Sequence, residues 1–233
     1  YSIGGLGEIA FKGNAINRLM GGLDIVSDSL HANLNNPASL GDLKLVTYSL
    51  GLNYKSTKLS SSASNESVTS ASIDYLVVAI PTKKFTFGFG ILPATSVGYR
   101  LQSVIEGDEI NNVVNRNEGF GGLNQTFLSI GFKFFEFLNF GVSANYNFGK
   151  ITNESSRQEQ NIDFGTFFTK TSSLAGFNYR FATQLKIQLT SKVRLDAMAY
   201  YVPNNSLTAT NESVYFTRSV TTQDLGDFEN VDL

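Results

Sequence analysis

Cysteine and tryptophan are absent from this 233-residue chain, and histidine occurs once, at His31. Without cysteine there is no disulfide, no thiolate zinc site and no cysteine nucleophile. A single histidine excludes a three-histidine metal centre. Charge is sparse as well: Asp, Glu, Lys and Arg make up 16% of the residues, against roughly 25% in an average globular protein. The net charge of -2 offers no basic excess to a phosphate backbone, so nucleic acid is not expected as a partner. No apolar run approaches the ~18–20 residues of a membrane helix. The mean hydropathy of -0.06 still leaves a transmembrane barrel open, because barrel strands alternate apolar and polar residues and average to near zero. Tyr1-Ser2-Ile3-Gly4-Gly5 has neither a basic start nor an apolar run, so no signal peptide is read there. Tyr rather than Met at position 1 points to a processed or truncated chain. The length predicts one domain.

What the chain has is aromatic residues, 19 Phe and 10 Tyr, and a period of two. Phe140, Val142, Ala144, Tyr146 and Phe148 alternate with Gly141, Ser143, Asn145, Asn147 and Gly149. The same alternation holds for Leu128, Ile130, Phe132 and Phe134, for Phe177, Tyr179 and Phe181, and for Leu185, Ile187 and Leu189. Successive strand side chains point to opposite faces, so each segment has one apolar face and one polar or small face. Seven strands are predicted, at about 45–56, 70–80, 85–100, 122–135, 139–150, 172–189 and 192–205. Several exceed the usual ~5–6 residues and suit a tilted membrane strand of ~9–11. Short connections at 81–84, 136–139 and 190–192 alternate with long polar ones at about 57–69, 93–121 and 151–171. Short turns on one side and long loops on the other are an outer-membrane barrel habit. Aromatics near strand ends, such as Tyr54, Phe134, Phe135, Tyr200 and Tyr201, suit interface girdles.

The expected fold is therefore an all-β transmembrane antiparallel β-barrel in the outer membrane of a Gram-negative cell. Its short turns and N-terminus would face the periplasm, and lipid would surround it. Seven strands leave two open edges that lipid cannot hydrogen-bond. The chain is thus expected to be the N-terminal part of a larger barrel, unless Leu207–Thr210 or Ser213–Thr217 adds a strand. Residues 1–43 do not alternate. Their glycines and the apolar Leu19, Met20, Leu23, Ile25 and Val26 predict a compact plug inside the barrel, with residues 44–233 forming the wall.

Met20-Gly21-Gly22, then Asp24 and Asp28, then Asn36-Pro37-Ala38 just before the first strand resemble the FadL-type outer-membrane transport family. That resemblance implies a 14-stranded barrel, of which this chain is half, with an N-terminal hatch and no cofactor. It implies passive uptake of hydrophobic small molecules such as long-chain fatty acids, which leave through a gap at a kinked third strand. The third strand here carries Gly88, Gly90 and Pro93. Glycine weakens a strand and proline removes a ladder donor. The ligand-path and hatch residues implied are Asn36, Pro37, Ala38, Gly88, Gly90 and Pro93.

On the polar face, Lys133, Arg180, Lys186, Arg194 and Asp196 are expected to form ion pairs in the lumen. Asp108, Glu109, Asn111 and Asn112 form a loop cluster that could bind calcium. Asn-Glu-Ser recurs at 65–67, 153–155 and 211–213, where it reads as loop composition. No Ser-His-acid arrangement is apparent, so the chain is not read as an enzyme. Two other readings stay open. One is a non-transporting barrel subunit of an outer-membrane protein secretion or barrel-assembly complex, as in the PorV-type proteins of Bacteroidetes. The other is a soluble β-sandwich that binds a partner.

Overall fold

The computed structural model describes residues 4–60, 65–105, 112–159 and 162–219. An antiparallel ladder runs β2 (Thr47–Ser60), β3 (Asn65–Pro81), β4 (Thr86–Ile105), β5 (Val113–Phe135), β6 (Leu138–Glu159) and β7 (Phe164–Gln188). Beyond β7 the last lane is shared. β8 (Arg194–Tyr201) pairs with the second half of β7, and β9 (Thr208–Ser219) pairs with the first half. β8 and β9 therefore lie end to end, and the sheet has seven lanes. Leu207–Thr217 extends the seventh lane instead of turning back into an eighth.

The lane count matches the alternation, but the strand lengths do not. β7 is 25 residues long, which spans about 80 Å at ~3.3 Å per residue. The polar stretches expected as long loops are mostly strand: β4 and β5 pair out to Ile105–Val113, and β6 and β7 out to Arg157–Thr166. Each strand there has a paired neighbour to satisfy its backbone, so a polar sequence costs the ladder nothing. The triplets Asn153–Ser155 and Asn211–Ser213 sit inside strands for the same reason, and Asn65–Ser67 opens β3. Asp108, Glu109 and Asn111 lie outside the described residues. The short turns are as expected. At one, Thr82 closes the chain by donating its N–H to the Phe85 carbonyl at 2.8 Å.

The sheet is a curled antiparallel half-barrel. Residues 4–43 lie on one face and reach every lane from β2 to β7, which requires the sheet to curl around them. That inner face buries Tyr75, Val77, Ala79, Leu92 and Phe127 with Leu40 and Leu43 of the N-terminal segment. The outer face exposes Phe87, Phe89, Leu128, Ile130, Phe140, Val142, Phe177, Tyr179 and Phe181. An apolar patch that broad is an interaction surface, and its position matches the lipid-facing band of a barrel. Among the described residues no second sheet packs on either face, so a sandwich is not formed. No described helix is long and apolar enough to cross a membrane, which says nothing about a β-barrel.

Candidate functional site

The N-terminal segment has little regular structure, so side chains must satisfy its backbone. Asparagines do most of this. Asn14 caps the five-residue helix α1 (Ala15–Leu19), and Asn17 reciprocates in a capping box. Asn14 also donates to the Ala32 carbonyl at 2.9 Å, and Asn17 to the Leu23 carbonyl at 2.8 Å. Asn33 and Asn36 both donate to the Asp24 carbonyl, at 2.9 and 3.1 Å. Gly21 and Gly22, with φ of 70° and 87°, end α1 in the left-handed region that glycine tolerates.

Asn36-Pro37-Ala38 opens a 3-10 turn, Pro37–Asp42, in which the Asn36 carboxamide oxygen accepts from the Ala38 N–H at 3.1 Å. Asn36 is completely buried. The turn sits directly on the sheet backbone. A Cβ on Gly131 would overlap the Pro37 carbonyl oxygen, and one on Gly141 would overlap the Pro37 carbonyl carbon and the Ala38 nitrogen. Two glycines on adjacent strands thus form a seat for the turn.

Asp42, at the end of this turn, is the electrostatic centre. It takes Lys186 at 2.5 Å, Lys133 at 3.2 Å, the Asn139 amide at 2.7 Å and the Ser27 hydroxyl at 2.7 Å. Burial pushes its carboxyl up, but the bonds and charges from Lys186, Ser27 and Lys133 outweigh that and hold it below the ordinary carboxylate range. Asp24 goes the other way. Burial raises it, and Asn35 and Arg180 only partly offset the rise. Arg180 donates to the Asn35 carbonyl at 2.6 Å, and Gln184 to the Ile25 carbonyl at 2.5 Å. Lys133, Arg180 and Lys186 therefore converge on the N-terminal segment. Arg194 and Asp196 do not join them and pair with each other at 2.7 Å on β8. His31 bonds Asp28 at 2.8 Å on the exposed side of the segment.

Gly88 and Gly90 face inward, but the space they leave is occupied. A Cβ on Gly88 would stand 3.1 Å from a Leu40 methyl carbon, and one on Gly90 would meet the Phe127 ring at 2.9 Å and the Leu76 carbonyl. The apolar inner face of β3 likewise packs on the N-terminal segment, through Tyr75, Val77 and Ala79. Pro93 does not end its strand. It sits at a register shift between Pro93 and Thr95, and β4 runs on for twelve further residues, to Ile105. Just before it the β3–β4 ladder stops, at Leu76–Ile91. The two strands part there, and β1 (Glu8–Ile9) pairs with the freed edge of β4. A cavity of about 960 Å³ opens between them, lined by Asn53, Ser70, Ser72, Asp74, Thr95 and Ser96 among others. Arg18 bridges to Asp74 at 2.5 Å beside it.

A family model described as BamG matches residues 1–233, the whole sequence. The chain belongs to the BamG family. BamG is a barrel-assembly-related family, and with the belted β-sheet the match supports association with the outer membrane. No curated protein and no solved structure matches the chain. The FadL-type membership implied by the short motifs is thereby corrected. The physical reason is local. Gly21-Gly22 ends a helix, Asp28 caps the Leu30 and His31 amides, and Asn36-Pro37-Ala38 seats a turn on two glycines. These residues specify how a segment folds onto a sheet, whatever the sheet is used for. The asparagine network and the Asp42 centre were missed in the sequence, although five asparagines between positions 14 and 36 were a signal for the network.

Proposed function

We propose that this protein is a non-enzymatic, non-transporting barrel subunit of outer-membrane protein assembly. Residues 1–43 act as its plug, residues 44–233 as one wall, and further strands close the free edges of β2 and of the β8–β9 lane. The short turns and the plug face the periplasm. The observation that carries the reading is the whole-length match to a barrel-assembly-related family. The inner face supports it. The positions that would open a greasy path, Gly88 and Gly90, are filled by Leu40 and Phe127, and the plug is fastened by charge at Asp42 and Arg180. Fold alone does not choose between a channel and a scaffold, but a filled and fastened interior favours the scaffold. Its partners are then other outer-membrane assembly proteins.

The test is to purify the native, full-length protein from its own membrane in detergent and identify everything that co-elutes by mass spectrometry. Stoichiometric assembly proteins are expected. A lone barrel carrying bound fatty acid or hydrocarbon sinks the reading.

A further inference from the structure

The geometry points to the open edge of β4, from Val97 to Ile105, as the docking site for an extended strand of a partner polypeptide. The inference deepens the assembly role proposed above and rests on it. β4 is paired with β5 all the way from Thr86 to Ile105, so its backbone is held straight and preformed. On its other side, the ladder to β3 covers only Thr86–Ile91, although β3 continues back to Asn65. Above Ile91, β1 alone among the described residues pairs with that side, and only as far as Ser96.

β1 shows that the edge takes a strand. Glu8 stands opposite Ser96, Ile9 opposite Thr95, and the Ala10 N–H donates to the Ala94 carbonyl at 3.0 Å. It also shows why this strand is short. Gly7 has a φ of 97°, and a Cβ there would overlap the Ser96 carbonyl, so the chain turns off the edge at that point. Main-chain groups alternate between the two edges of a strand. Those of Ala94 and Ser96 face the split, and so do those of Gly98, Arg100, Gln102 and Val104. A row of unpaired N–H and C=O groups is a template for another strand. The cavity beside it is lined by Ser70, Ser72, Asp74 and Thr95 together with Phe11, Phe148 and Leu174, a mixture that suits the main chain and side chains of a peptide. Recognition through the main chain would tolerate many partner sequences, as a component handling many barrel polypeptides requires.

The test uses the full-length protein in its native membrane, with Gly98→Pro against Gly98→Ala. Proline removes the one N–H aimed into the split at that residue. A Cβ at Gly98 meets nothing within 4 Å, and Val97 is already extended, as a residue before proline prefers. The alanine variant keeps the N–H. The readout is the amount of each stoichiometric partner that co-purifies, with heat-modifiable gel migration reporting the fold. We expect Gly98→Pro to retain about tenfold less of at least one partner, as loss of a main-chain bond plus a steric clash implies, and Gly98→Ala to retain all of it. Should Gly98→Pro fail to fold, Gln102→Pro against Gln102→Ala asks the same question four residues further along the edge. A proline variant that folds and keeps every partner overturns strand docking and leaves the subunit reading intact. Absence of any partner from the wild-type protein overturns both.

Discussion

The two ends of the sheet are built differently. Toward the short turns, the inner face is covered by the N-terminal segment and the outer face is a continuous apolar belt. Toward the opposite end, beyond a smaller buried cluster of Ala94, Val97, Leu123, Ile151 and Leu174, β3 and β4 have separated and every residue of β9 is exposed. At the turn end the strands are held by what packs on them. At the far end they are held by one another, through ladders of β4 with β5 and β6 with β7 that run almost to the strand tips. Side-chain changes should therefore act strongly at the first end and weakly at the second.

The largest effect is expected at the glycine seat. Gly141→Val places a side chain where the backbone of Pro37 and Ala38 already lies, so the 3-10 turn must lift off the sheet. Overpacking of this kind costs about 1–3 kcal/mol even where the surroundings give, and here backbone must move. Limited proteolysis should cut within 14–43 in the variant and not in the wild type. Gly98→Ala, in the far half, is the matched control and should change nothing. Equal behaviour of the two variants would erase the distinction between the halves.

Next in size is Asp42→Asn. Lys186 and Lys133 lose their shared carboxylate, and Lys186 is left with a side chain only 17% exposed. Removing one partner of a largely buried pair costs about 3–5 kcal/mol, and the partial exposure of Lys133 lowers that to about 2. Lys55→Ala breaks a pair with Glu8 in which both side chains are more than half exposed, and its effect on thermal or denaturant stability should be undetectable.

The two half-buried carboxylates of the segment should respond to pH with opposite signs. Asp42 is held below its ordinary value of 3.8. Its contribution is complete above that value and is lost as pH falls toward its lower folded value. Asp24 is raised, so it costs stability at neutral pH, and the cost is relieved as pH falls from its raised value toward 3.8. Asp24→Asn should accordingly stabilise the seat slightly at neutral pH, whereas Asp42→Asn weakens it. Hydrogen exchange of the 37–43 amides against pH, in wild type and both variants, reads both signs in one experiment.

The same division explains what could be read from the sequence. The seven lanes were legible at the turn end because lipid-type and interior-type neighbours impose alternation, as at Phe140–Phe148. At the far end polar residues fall on both faces of the strand, so Asn-Glu-Ser at 153–155 carries no period and reads as loop while being strand. Pro93 stands where β4 shifts register and leaves β3. It did not reveal that the strand continues, because that depends on β5 supplying partners from a distant part of the chain. The burial expected of Leu19, Met20 and Leu23 is not found, since all three are exposed, and the N-terminal segment is buried instead through Asn36–Leu40 and Leu43. Its fastening was not legible either, because Asp42, Lys133 and Lys186 meet only after the sheet has curled.

A small and local effect should come from the far corner. There Phe167 of β7 stacks on Phe216 of β9, with ring centroids 5.4 Å apart, and the Arg218 guanidinium lies 4.5 Å from the centroid of the Phe167 ring. All of β9 is exposed, Phe216 included, and Phe167 is only half-buried, so little burial energy is at stake. A stacked aromatic pair contributes about 0.5–1.5 kcal/mol beyond its area. Phe216→Ala should speed hydrogen exchange in Thr208–Ser219 and leave the protection of residues 37–43 untouched. If loosening β9 also loosened the plug, the two ends of the sheet would be coupled, and a strand docking at the far end of β4 would have a route to the plug.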